Sequence, residues 1–290
     1  RALAGRGMIE AVTYSFLPRA HAELFGGVNE DLVLANPISA DLDALRPSLL
    51  PNLVAAAGRN QARGFNDISL FEVAGTYHSD QPDGQQTVAA GIRAGSSGAR
   101  HWDGAGRAYD VFDVKADVLD LLGAIGGPAA TAQIVEGAPE WYHPGRSGVI
   151  QLGPQKRLAV FGELHPSVLA AMKVKGPIMA FELFLDNVPL PKAQGKTARD
   201  PLKVSDYQAV ERDFAFVVDT GVTADKILRA ARGADKKLIT DASIFDIYEG
   251  ERIGEGMKSV ALSIRLEPLD KTLTDDEIEA VSAKVIANVE

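Results

Sequence analysis

Short runs of alternating apolar and polar residues dominate the chain, and segments with helical spacing separate them. MIEAVTYSFL (Met8 to Leu17) is rich in strand formers and reads as a strand that Pro18 ends. RAHAELFG follows as a short helix closed by Gly26 and Gly27, and DLVLANPI as a second strand ended at Asn36 and Pro37. After Pro51, the spacing of Leu53, Val54 and Ala57 predicts a helix that Gly64 stops. DISLFEVAGTYH and QTVAAGIRAG predict paired strands around the turn SDQPDGQ. VFDVKADVLDLLGAIGG sets Val114, Val118, Leu121 and Leu122 at helical spacing, with Gly126 and Gly127 at its end. TAQIVEG, SGVIQLG and RLAVFGEL are three more strands, PSVLAAMKV a helix starting at Pro166, and IMAFELFLDNV a long buried strand.

PLPKAQGKTARDP (Pro189 to Pro201) is proline-rich, polar and without periodicity, which predicts an interdomain linker. Beyond it the order is strand (RDFAFVVD), helix (TADKILRAARGADKK, with Thr223 as N-cap), strand (LITDASIFDIYEG), strand (KSVALSIRLE) and helix (TDDEIEAVSAKVIANVE). Thr274 and Glu277 open the last helix as a capping box. This is the start of a split βαβ, ferredoxin-like unit. Its final strand is expected after Glu290 and is missing from this sequence.

Such a sheet carries both helices on one face and leaves the other bare. Strand alternation puts Phe214, Phe216, Phe245, Ile247, Val260, Leu262 and Ile264 beneath the helices. Ala215, Tyr248, Ser259, Ser263 and Arg265 then face outward. Small residues keep that surface flat, an exposed ring offers a base something to stack on, and hydroxyls or a guanidinium bond to base edges and phosphates. Open sheets read single-stranded RNA in this way; they also serve for protein contacts, and the pattern alone leaves both open.

The 290 residues suit one large domain or two ordinary ones, and 46% hydrophobic residues suffice for packed cores. No apolar run approaches the roughly 20 residues of a membrane span, and no signal-peptide pattern opens the chain. The absence of cysteine excludes disulfides, thiol catalysis and thiolate zinc sites, and a reducing cytoplasm is the natural compartment. A net charge of −9 means that any nucleic-acid contact must be local and shaped.

Other candidate chemistry is weak. His143 and His165 each precede a proline and read as turn formers, since no third metal ligand has clear spacing. Arg146 reads as a carboxylate partner at a turn or subunit contact rather than a phosphate ligand, and nothing in the sequence brings Glu72 and Glu163 together as an acid/base pair. The glycines of GIRAGSSGARHWDGAGRAYD lack a phosphate-loop pattern and read as a surface loop. LRPSLLPNLVAAAGRN is apolar around much of its helix, which fits a subunit interface and an ordinary buried helix equally.

VERDFAFVVD, FDIYEG and GEGMKSVALSIRLEPLDKTLTDDEI together resemble the anticodon-binding ferredoxin-fold domain of the phenylalanyl-tRNA synthetase beta subunit family. GMIEAVTYSF, LANPISADLDALRPSLLPNLVAAAGRN, ISLFEVAGTY, HPGRSGVI and FGELHPSVL resemble that subunit's core. The resemblance implies an α+β fold: an antiparallel-sheet, class II synthetase-like, non-catalytic core over residues 1–190, a linker over 191–203, and a ferredoxin-like domain lacking its last strand over 204–290. It also implies an alpha subunit and tRNA(Phe) as partners, in an enzyme of two alpha and two beta subunits. ATP and magnesium act there on the alpha subunit, and no cofactor, metal or catalytic residue belongs to this segment. The contact positions that it implies are Ala215, Tyr248 and Ser259, with Tyr248 stacking on an anticodon base; Arg212 and Arg265 are added as backbone contacts. The subunit's tRNA-binding and editing modules are absent here, so a C-terminal fragment is expected. A free-standing class II-like enzyme and a protein scaffold without RNA binding are the alternatives. A class II site needs arginines on its ATP phosphates, and SLFEVAGTYH and VFGELHPSVL do not supply them.

Overall fold

The computed structural model describes residues 1–98, 101–104, 106–189, 204–250, 252–268 and 270–290. The chain divides into two compact units, Arg1–Ala193 and Gln194–Glu290, each with its own hydrophobic core. The expected linker at 191–203 lies outside the described residues, as do parts of the glycine-rich loop near residue 100.

The first unit runs α1 (Ala2–Gly5), β1 (Ile9–Glu10), β2 (Phe16–Leu17), α2 (Arg19–Glu23), β3 (Ala44–Leu45), α3 (Leu50–Gln61), β4 (Ile68–Tyr77), β5 (Gln85–Ala94), α4 (Val111–Ala124), β6 (Gln133–Val135), β7 (Tyr142–Leu152), β8 (Lys156–Leu164), α5 (Pro166–Ala171) and β9 (Ile178–Phe184). Its seven-stranded sheet has the order β1-β4-β5-β9-β8-β7-β6; β1 joins β4 in parallel and the other pairs are antiparallel. Alternation on β5 explains the layering. Val88, Ala90 and Ile92 meet Leu53 and Val54 of α3 and Leu169 of α5 on one face. Ala89 joins Val114, Val118 and Leu122 of α4 on the other. The sheet is therefore buried on both faces between helical layers.

The first unit departs from the sequence pattern in two places. The strand expected from Met8 to Leu17 is interrupted: Thr13 turns its amide (3.2 Å) and its hydroxyl (2.7 Å) onto the Glu72 carboxylate. DLVLANPI forms a single 3-10 turn at Glu30–Leu32 and one bridge from Val33 to Ala44, not a strand. The predicted apolar helix α3 forms and spends Leu50, Leu53, Val54 and Ala57 inside the unit's own core.

Two buried arginines of this unit are paired with carboxylates. Arg46 reaches Glu72 at 3.0 Å, with further bonds to Thr13 and to the Gly75 carbonyl. Arg93 donates to Asp117 through Nε (2.6 Å) and Nη2 (2.9 Å), and Arg6 Nε adds a third bond at 2.5 Å.

The second unit runs β10 (Val210–Asp219), α6 (Ala224–Gly233), β11 (Ile239–Tyr248), β12 (Met257–Leu266) and α7 (Asp275–Val289). Its antiparallel sheet has the order β10-β12-β11, with β12 in the middle. Val260, Leu262, Ile264 and Leu266 of β12 pack with Ile227 and Ala231 of α6 and with Ile278, Val281 and Val285 of α7. Phe214 and Phe216 stack beside them on β10, ring centroids 6.2 Å apart. The α7 capping box forms as expected: Thr274 N donates to Glu277 (3.0 Å) and Glu277 N to the Thr274 hydroxyl (3.4 Å). Thr223 stands at the N-cap of α6 without a side-chain capping bond.

Asp117→Ala leaves Arg93 without its buried counter-charge. A loss of about 3–5 kcal/mol is expected from chemical denaturation, with a smaller loss for Asp117→Asn, which keeps one acceptor.

Candidate nucleic-acid interface

The face of the second unit's sheet away from α6 and α7 is read off the strand register. Glu211, Arg265 and Asp241 form one row across it; Asp213, Ser263 and Ser243 form the next. Ala215, Ala261 and Asp246 follow, and then Val217, Ser259 and Tyr248. Tyr248 lies directly opposite Ser259 and is 45% exposed, and Ala215 is exposed one row away and one strand further. Three of the five residues named from the sequence thus share one open patch.

Arg212 and Arg265 sit differently. Arg212 pairs with Ile264, whose side chain is buried under the helices, so alternation carries Arg212 to the opposite face from Tyr248. Arg265 is on the open face, but Glu267 (2.8 Å) and Glu211 (3.4 Å) hold its guanidinium. Both carboxylates raise its already high pKa, Glu267 foremost.

The placement of Phe245 beneath the helices is overturned. Ile244 faces Leu262 and Asp246 faces Ala261, so Phe245 is the extra residue of a β-bulge. Counting outward from the inward-facing Ile244 turns Phe245 to the open face, where it is 59% exposed. Alternation restarts after the bulge, which leaves Tyr248 outward. Ile247 keeps the helix-side parity opposite Val260, yet it too is half exposed. Val217 is 58% exposed in the same row as Tyr248. A bulge leaves no reliable mark in alternation, and no cue in FDIYEG identified this one.

Gly250 shapes the position of the Tyr248 ring. A Cβ at Gly250 would lie 2.5 Å from the Tyr248 phenol oxygen and 2.8 Å from Cζ, so the ring occupies space that a side chain would fill.

Elsewhere the polar clusters are structural. His165 Nδ1 accepts the Ser167 amide at the start of α5, and His143 Nδ1 accepts the Gly145 amide. Arg146 binds Glu163 at 2.6 Å, and Glu72 is held by Arg46. Among the described residues, no group of three or more His, Asp or Glu is arranged to hold a metal ion.

The first unit carries a cavity of about 620 Å³ on its sheet, lined by Phe25, Trp141, Phe184, Ser48 and Glu182 among others, with Arg157 at the exposed rim. Glu182 is buried, and desolvation raises its pKa to about 7 against the Ser48 hydroxyl bond at 2.6 Å. Burial and the nearby Glu182 also push the Tyr142 hydroxyl well above its ordinary range. The buried arginines of the unit, Arg46 and Arg93, are committed to Glu72 and Asp117 and do not line this cavity.

An open-faced sheet backed by two helices is what anticodon-binding domains of the ferredoxin fold present, and residues 205–290 match the family model described as "Ferredoxin-fold anticodon binding domain". Residues 1–185 match the "Phenylalanyl tRNA synthetase beta chain CLM domain". The chain belongs to the phenylalanyl-tRNA synthetase beta chain family. Phenylalanine–tRNA ligase beta subunits from Rhodospirillum rubrum, Paramagnetospirillum magneticum and Mesorhizobium japonicum are 57%, 53% and 52% identical to it, each over the whole of this chain. The chain spans 36% of the length of these relatives. A pyrrolysyl-tRNA synthetase from Desulfitobacterium hafniense superposes over 64% of this chain and 61% of its own, at 17% identity and a TM-score of 0.47.

Two outcomes are expected. Gly250→Ala moves the aromatic proton shifts of Tyr248 in NMR spectra while stability stays within about 0.5 kcal/mol, since the ring is at the surface. For Glu182, the folded state keeps a proton up to about pH 7 that the unfolded chain releases near 4.5, so stability falls as pH rises between those values. Glu182→Gln abolishes that fall, and thermal melts should show it more stable than wild type at pH 8 by no more than about 3 kcal/mol, with no gain at pH 4.

Proposed function

We propose that this chain is the assembly and tRNA-recognition segment of a phenylalanine–tRNA ligase beta subunit. Residues 1–190 act as a non-catalytic core against an alpha subunit, residues 191–203 connect, and residues 204–290 meet the anticodon region of tRNA(Phe). ATP and magnesium serve the alpha subunit's chemistry, in the cytoplasm. No helix among the described residues is long and apolar enough to cross a membrane.

The observation that carries the tRNA reading is the row of Val217, Ser259 and Tyr248, with Ala215 beside it, on a sheet face that no helix of its unit covers. Tyr248 supplies a ring for a base, Ser259 a hydroxyl for a base edge, and Ala215 close approach. Glu211, Asp213, Asp241 and Asp246 surround the patch, so phosphates are repelled from it and bases are the favoured contact. For the same reason Arg265, tied to two carboxylates, adds little toward the backbone, and Arg212 contacts RNA only at the edge of β10. The assembly reading is supported by Val12 (92% exposed) and Tyr14 (73% exposed), which line a hollow of about 630 Å³ at the start of the first unit.

Tyr248→Ala in the full-length subunit assembled with its alpha partner should raise KM for tRNA by the equivalent of about 1–3 kcal/mol. Phenylalanine activation without tRNA should be unchanged. An unaltered tRNA affinity would count against this function.

A further inference from the structure

We infer that Phe245 is a second stacking platform on the open face, so that two unstacked bases of a single-stranded RNA loop are held there, one on Tyr248 and one on Phe245. The inference rests on the proposed tRNA reading and extends it to a residue that alternation counted back from Tyr248 buries.

Phe245 follows the inward-facing Ile244, so alternation turns it to the open face; the bulge between Leu262 and Ala261 leaves it without a cross-strand partner and returns Asp246 and Tyr248 to that same face. The ring adds nothing to the unit's core, which includes Ile244 on one side of it and not Phe245. A solvent-facing phenylalanine gains nothing in folding from its ring, but its face is free for a base.

The surroundings suit that use. The row nearest Phe245 holds Ala215 and Ala261, whose methyl groups block nothing above the sheet. The Tyr248 row lies two residues along β12, at Ser259 in place of Ala261. Two residues of strand cover roughly 6.7 Å, about twice the rise between stacked bases on one strand. The two rings therefore cannot serve neighbours within one continuous stack. They fit consecutive bases that have been splayed apart, as single-stranded loops are when an open sheet reads them. Asp246, beside Phe245 in the bulge, and Asp213 keep phosphates away from this end, so the strand must run with its bases down and its backbone out.

The test uses the full-length subunit assembled with its alpha partner, and tRNA(Phe) carrying 2-aminopurine at single anticodon-loop positions. Stacking on a ring quenches that fluorophore. Phe245→Ala should raise KM for tRNA about five- to hundred-fold and abolish the quench at one loop position. Phe245→Tyr should keep both near wild type, and Phe245→Leu should lose the quench. Melting temperatures and tRNA-independent phenylalanine activation should not move. Tyr248→Ala should abolish the quench at a different position. If Tyr248→Ala weakens binding while Phe245→Ala matches wild type, the second platform is overturned and the proposed function stands. If neither variant alters tRNA binding, both readings fall. If Phe245→Ala dissociates the subunits with tRNA affinity intact, the ring is a protein contact and the inference is overturned.

Discussion

Burial of one side of β12 governs the second unit. Val260, Leu262, Ile264 and Leu266 are sealed against α6 and α7, and a strand cannot seal one set of side chains without turning the alternate set away. Ser259, Ala261, Ser263 and Arg265 are outward for that reason alone. The two flanking strands inherit their facing from β12 through the ladder, so the composition of the open face follows from the helix-packed core beneath it. The make-up of this surface is thus a by-product of the same hydrophobic constraint that folds the unit.

The bulge in β11 shows how that constraint is locally relaxed. A one-residue slip along the whole strand would have exchanged its inner and outer residues. The β11 ladder shifts twice, at Thr240 and at Phe245; the second shift lets Ala242 and Ile244 before it and Ile247 after it all take the helix side while Tyr248 stays outward. The result is that Phe245 joins Tyr248 as a second aromatic on a face otherwise dominated by small and acidic residues.

The first unit uses charge for architecture. Arg46, Arg93, Glu72 and Asp117 are buried and mutually satisfied, which fixes the N-terminal segment and α4 on the sheet. The sheet's cavity holds Glu182, a carboxyl whose pKa burial raises to about 7. The family model described as an anticodon-binding domain matches the other unit, residues 205–290.

Much of this was readable from the residues. The strands from Ile68 to Tyr77 and Gln85 to Ala94, the helix from Val111 to Ala124, the capping box at Thr274 and the βαββα order all follow from local periodicity, because each is set by neighbours within a few residues. Outward facing of Ala215, Tyr248 and Ser259 was readable for the same reason. Three things were decided only in three dimensions. Thr13 gave up its ladder for Glu72, a residue 59 positions away. Arg265 found Glu211 across the sheet, 54 positions away. Phe245 turned outward because the register of β11 is settled by pairing with β12, and a strand read by itself carries no record of where its partner lets it slip.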